Sequence, residues 1–248
     1  MTPEEQRRFA WACRQVLENR QAGQGIGTLG EKSLHAVLKR YYQPEVSLHE
    51  RKTGSMTVDA ILPDGSMLEV QTRNFSSLRK KLPVLLSRGR VQLAAPVVQR
   101  KWVCWVHPET GEVVSRRRSP KRYHPIDLSR ELYAIRGFLA HPHLTLRIPL
   151  LEAEEYRLLD GWGSGGKRGS TRYERIPLAL LGEQVLETSE DFHSLFPESL
   201  PEIFTVKDLE KAARISDRCA RSAVSIFRDL GLAEEDGCQG RAKQYRRL

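Results

Sequence analysis

Hydrophobic positions along the chain change period several times, and each change predicts an element. From Thr2 to Arg20 the apolar residues recur at helical spacing, with Phe9, Cys13, Val16 and Leu17 on one stripe. A Thr2-x-x-Glu5 capping box with Pro3 in the first turn marks the start of this helix. A Gly/Gln loop at 21–27 leads to a second helix over 28–41, striped by Leu34, Val37, Leu38 and Tyr41. After Pro44 extended segments are predicted at 46–51, 55–62 and 67–73, then a helix over 76–86 that Pro83 delays or kinks. Strands follow at 91–98 and 101–106, a turn at 108–111, a return strand at 113–115, a helix at 131–135, and a long hairpin from 144–159 and 171–186.

From Ser189 the pattern shifts to helix, turn, helix and a small hairpin. Thr205 and Asp208 cap the first helix, and Ser216 caps the second. On the second, Cys219, Ala223, Ile226, Phe227 and Leu230 form the inner stripe, while Arg218, Arg221, Ser225 and Arg228 face outward. Gly231 ends it. The chain therefore predicts an α/β fold with a mixed central sheet flanked by helices. Its expected organisation is a first domain at 1–143, a β-hairpin connector at 144–188 and a small C-terminal domain at 189–248.

Candidate chemistry starts at the hairpin around Pro63-Asp64-Gly65-Ser66. Folded about that turn, Asp59 lands opposite Glu69, and the two-residue strand period puts Gln71 on the same face. Like charges across a strand pair repel, so a hairpin with no further task should avoid this arrangement. A divalent cation reverses the sign, because converging oxygen ligands are what Mg²⁺ requires. The alternative is two solvated acids on an open sheet face. Apolar neighbours on both sides, Val58, Ile61, Leu68 and Val70, favour a buried sheet.

Net charge is +9, and its distribution matters more than its size. Between Gln71 and Arg122 thirteen basic residues face only Glu109 and Glu112. They include Arg73, Arg79, Lys80, Lys101 and the run Arg116-Arg117-Arg118-Ser119-Pro120-Lys121-Arg122, which is expected to be a flexible loop gripping phosphates. Positive charge concentrated after paired carboxylates favours nucleic acid over an acidic small molecule or a membrane surface. A second basic loop at 161–169 joins the two arms of the 144–186 hairpin, which reads as a spacer between domains. The C-terminal segment 189–248 is nearly neutral, with ten basic and eleven acidic residues. There is no apolar run near the ~20 residues of a membrane span and no signal-peptide pattern. Cys13, Cys104, Cys219 and Cys238 lack paired metal spacing, so structural zinc is not expected. Reduced thiols in a cytoplasmic protein are the expectation.

Glu31 in Gly30-Glu31-Lys32-Ser33-Leu34, Asp59 in Val58-Asp59-Ala60-Ile61, and Leu68-Glu69-Val70-Gln71-Thr72-Arg73 together resemble the motif set of the PD-(D/E)xK, or restriction endonuclease-like, nuclease superfamily. The resemblance covers roughly 25–110 and rests on element order together with hairpin placement. It implies a Mg²⁺- (or Mn²⁺-) dependent phosphodiesterase, with Glu31, Asp59 and Glu69 as metal ligands and Gln71 as a further catalytic residue. Gln71 stands where the family usually has lysine, although some restriction enzymes of the group carry Gln or Glu there. Lys52, Arg73 and Lys101 are candidate sources of the missing charge. The C-terminal pattern resembles a winged helix-turn-helix, with Arg218, Arg221 and Arg228 on its recognition-helix face. The expected function is a DNA endonuclease positioned by that domain, which could also mediate homodimerisation or partner docking. The alternative is a non-catalytic nucleic-acid-binding or assembly protein on a decayed nuclease fold.

Overall fold

The computed structural model describes residues 2–23, 33–161 and 170–248. In chain order the elements are α1 (Pro3–Gly23), α2 (Ser33–Tyr42), β1 (His49–Thr53), β2 (Met56–Ile61), β3 (Met67–Val70), α3 (Leu78–Leu86), β4 (Val91–Ala94), β5 (Val97–Val106), β6 (Val113–Arg118), α4 (Ser129–Leu132), β7 (Leu144–Leu158), β8 (Arg172–Leu186), β9 (Ile203–Thr205), α5 (Val206–Ala213), α6 (Asp217–Asp229), β10 (Ala233–Gln239) and β11 (Ala242–Arg247). The fold class is α/β, with a mixed sheet flanked by helices. Among the described residues no helix is long and apolar enough to cross a membrane.

Two compact units divide the chain. The first comprises 1–49, 98–123 and 149–183; the second comprises 50–97, 124–148 and 184–248. In the first unit α1 packs on α2. The expected capping box forms: the Thr2 N–H donates to Glu5 Oε2 at 2.5 Å, and the Glu5 N–H to Thr2 Oγ1 at 3.2 Å. Phe9, Ala12 and Cys13 of α1 are buried, as are Leu34, Val37, Leu38 and Tyr41 of α2. Strands run in the order β7-β5-β6, with β8 on β7.

In the second unit the order is β1-β2-β3-β4-β7. β2 and β3 are antiparallel, whereas β3–β4 and β4–β7 are parallel. All four residues of β3 are buried, as expected for a strand flanked on both sides. The C-terminal part adds a three-stranded sheet, β10-β11-β9, with α5 and α6. Both expected caps are present: Asp208 N–H donates to Thr205 Oγ1, and Cys219 N–H to Ser216 Oγ. Arg214, in the left-handed region at φ 52°, turns the chain between the two helices.

Several expectations are revised. The segment starting at Val46 opens as a 3₁₀ turn, Val46–Leu48, and extends only from His49. The helix expected at 131–135 is one α-turn followed by the 3₁₀ segment Tyr133–Phe138. Residues 144–186 form two long strands, and β7 lies between β4 and β5 in strand order. Residues 184–248 group with 50–97 and 124–148. The physical reason lies on α6: Cys219 Sγ sits 3.5 Å from the Ile126 carbonyl oxygen, and Asp229 pairs with Arg136 at 2.9 Å.

Candidate active site

The β2–β3 hairpin sets the geometry. Pro63 fixes its φ early in the turn, and Asp64 accepts hydrogen bonds from the Ser66 N–H (3.0 Å) and hydroxyl (2.6 Å). These bonds hold the Asp64 carboxyl below its usual range. The Gly65 N–H donates to the Leu62 carbonyl, and the Leu62 N–H to that of Ser66, both at 2.9 Å. Gly65 takes φ +79°, a conformation that favours glycine. The resulting register pairs Ala60 with Leu68 and Ile61 with Met67. Asp59 and Glu69 are the next residues on the two strands beyond those pairs.

Each carboxylate has a defined partner. Asp59 Oδ2 accepts the Val70 N–H at 2.7 Å. Glu69, only 3% exposed, meets Lys81 of α3, with Nζ 2.5 Å from Oε1. α3 thus brings a positive charge onto Glu69. Lys101, considered with Lys52 and Arg73 as a source of that charge, is engaged with Glu155 instead. Lys81 was missed in the sequence, although it falls three residues after Leu78 and four before Leu85, inside the buried stripe of α3. A charged group in such a stripe calls for a counter-ion.

Gln71 follows β3. Its backbone N–H still donates to the Ala94 carbonyl at 2.9 Å. Its side-chain amide donates to the carbonyl oxygens of Arg73 (2.5 Å) and Asn74 (3.3 Å), bracing the turn into α3. Arg79 Nε donates to the Ala134 carbonyl at 2.8 Å, while Arg73 and Lys80 are exposed. Glu31 lies outside the described residues, as do residues 162–169 of the second basic loop. Among the described residues no group of three or more His, Cys, Asp or Glu converges on one point. Two carboxylates nevertheless suit Mg²⁺, which keeps several waters and takes one or two carboxylates together with substrate phosphate. Asp59 and Glu69 are two carboxylates on adjacent strands, one held by the Val70 N–H and the other by Lys81.

The basic run is a loop only from Ser119 onward. Arg116, Arg117 and Arg118 end β6, an exposed strand paired antiparallel with β5. Arg116 Nε bonds Glu154 at 2.7 Å, and its guanidinium stacks 3.9 Å from the Trp102 ring centroid. Arg117, Arg118, Lys121 and Arg122 are exposed. On α6, Arg218, Arg221 and Arg228 are likewise exposed, with Arg221 paired to Asp217 at 2.8 Å.

Residues 32–187 match the family model described as "Domain of unknown function (DUF8091)", and the chain belongs to that family. A relative from Treponema pallidum (strain Nichols), titled "Uncharacterized protein", is 30% identical over 228 residues, covering 90% of this chain and 87% of its own length. No solved structure matches the chain at a significant level.

Proposed function

We propose that this chain is a metal-dependent DNA endonuclease of the restriction endonuclease-like class, acting in the cytoplasm. One observation carries the reading: Asp59 and Glu69 come next on adjacent strands beyond the Ala60–Leu68 pair, with the Lys81 ammonium 2.5 Å from Glu69. In this reading Asp59 and Glu69, with Glu31 where it reaches them, hold Mg²⁺ or Mn²⁺. When bound, the ion neutralises the charge that develops on the scissile phosphate. Lys81 takes the part of the lysine absent at Gln71: its ammonium offsets negative charge in the transition state and holds the attacking water by a hydrogen bond. Gln71 keeps the chain after β3 in place, so that the carboxylates do not shift.

The order β9, α5, α6, β10, β11 supports a winged helix-turn-helix, with α6 as the helix presented to DNA or to a protein partner, including a second copy of this chain. Exposed Arg218 and Arg228 favour DNA. The near-neutral charge of the segment means that most of the phosphate attraction comes from elsewhere in the chain.

A second reading has its own support. Asp59 satisfies the Val70 N–H, Glu69 is neutralised by Lys81, and Gln71 ties down two carbonyls. Each group therefore has a structural task that a non-catalytic DNA-binding or assembly protein would also use. Cleavage of supercoiled plasmid by the full chain separates the two. The endonuclease reading expects nicked and linear product with Mg²⁺ or Mn²⁺ and none with EDTA. DNA binding with no product in either metal would leave the binding-only reading standing.

A further inference from the structure

β7 carries a carboxylate that its alternation aims inward. Glu155 is 1% exposed, two residues after the fully buried Ala153. Around it stand cations from three strands. Arg157 donates to Oε1 from Nε at 2.8 Å and Nη2 at 2.6 Å, and Lys101 Nζ of β5 lies 3.5 Å from the same oxygen. Arg175 Nη2 of β8 bonds Oε2 at 2.8 Å, and Arg172 Nη1 stands 3.7 Å from it at the rim. One carboxylate can offset only one of these charges. Lys101 and Arg175 are nonetheless only 12% and 25% exposed. Arg175 Nε is buried without a hydrogen-bond acceptor, a donor in search of an oxygen. Burial pushes Lys101 below the usual lysine range; Glu155 pulls it up, and the charges of Arg175 and Arg157 push it down again. Positive charge is in excess here, and water alone screens it poorly.

We propose that Lys101, Arg157 and Arg175, gathered on Glu155 and with Arg172 at the rim, form a binding site for a backbone phosphate of DNA. This rests on the nucleic-acid reading above. Arg157 spends Nε and Nη2 on Glu155, and Arg175 spends Nη2, which leaves the Nη1 groups of both arginines and the Lys101 ammonium to meet the oxygens of a phosphodiester. The buried Glu155 holds the forks in position before the ligand arrives, which lowers the entropy lost on binding.

The site continues along the strands, as a polymer requires. Arg117 pairs with Val103 in the β5–β6 register and therefore shares the face of Lys101, two residues from Val103. Tyr123 links Lys101 to Lys121, with their ammonium groups 5.8 and 4.5 Å from its ring centroid. A single small anion would need none of this extension.

The test is binding of the full chain to two unrelated fluorescent duplexes across a salt series without divalent metal, wild type beside R157Q/R175Q and Arg117→Gln. The double variant is expected to weaken binding about tenfold or more, equally for both duplexes, and to lower the slope of log affinity against log salt by about two. Arg117→Gln, on an exposed strand, should lower the slope by about one. Inorganic phosphate should protect the wild type against thermal unfolding more than the double variant. If the wild type binds DNA and these variants bind with the same affinity and slope, the cluster is structural and the proposal fails while the nucleic-acid reading survives. If the wild type binds no duplex, the nucleic-acid reading fails and the backbone site falls with it. Should R157Q/R175Q not fold, Arg175→Lys and Arg117→Gln decide: Arg175→Lys must keep the slope and Arg117→Gln must reduce it, and any other result overturns the proposal.

Discussion

Lys81 Nζ lies 2.5 Å from Glu69 Oε1, joining α3 to the buried strand β3. If the pair is catalytic, Lys81→Gln should lower the single-turnover cleavage rate about 10²-fold while leaving the Kd for DNA nearly unchanged. The same substitution leaves Glu69 buried without its cation, so stability should also fall, by about 3 kcal/mol. Cleavage must therefore be measured well below Tm. Lys81→Arg should recover part of the rate. An unchanged rate in Lys81→Gln would remove this residue from the reaction.

Asp59 offers a second separation of structure from chemistry. Asp59→Ala strips the acceptor from the Val70 N–H and should cost about 1–3 kcal/mol in urea unfolding. Asp59→Asn keeps an acceptor oxygen and should cost less. Both should abolish metal-dependent cutting, because neither leaves a carboxylate. Equal stability losses would mean that the Val70 hydrogen bond contributes little.

The β2–β3 hairpin was legible because its causes are local: a proline, an Asx-type turn at Asp64, a glycine with positive φ, and a two-residue side-chain period. The caps at Thr205 and Ser216 were legible for the same reason. Lys81 was not, because its partner depends on where α3 lies over the sheet, and no local rule carries that information. The strand at Arg116–Arg118 was hidden by composition: six exposed residues give no alternation, and pairing with β5 alone makes them a strand. The cluster on Glu155 joins residues 54 and 20 positions apart in sequence. It became visible only once β7 was known to run next to both β5 and β8.

Glu155 makes a prediction about acid. Burial would raise its pKa, but the hydrogen bonds of Arg175 and Arg157 and the charge of Lys101 outweigh that and bring it to about 2. A carboxylate with a depressed folded pKa stabilises the fold fully above its unfolded value, near 4.3, and loses that contribution as pH falls toward the folded value. Wild-type stability should therefore drop between about pH 4 and pH 2. Glu155→Gln should be less stable than wild type at pH 7 and show a shallower decline through that window. Parallel stability–pH curves for the two proteins would contradict the assignment.

The arginines of α6 test the role of the C-terminal segment. Arg221 is held by Asp217 only at the surface, where solvent screens such a pair, so it can be released to a ligand. Substituting Arg218, Arg221 and Arg228 together by Ala should change which DNA sites are preferred while the cleavage rate on a good substrate stays within a few-fold. Identical site preference, measured by end-mapping of cut products, would assign the segment to self-association or to docking of another protein.

The most direct measurement pairs cutting with binding in the same full-length chain: plasmid cleavage in Mg²⁺ and duplex binding without metal, for wild type and Asp59→Asn. The account predicts that wild type cuts and binds, whereas Asp59→Asn binds with similar affinity and leaves the plasmid supercoiled. Cleavage by Asp59→Asn at the wild-type rate, or a wild type that binds but cuts in neither Mg²⁺ nor Mn²⁺, would contradict it.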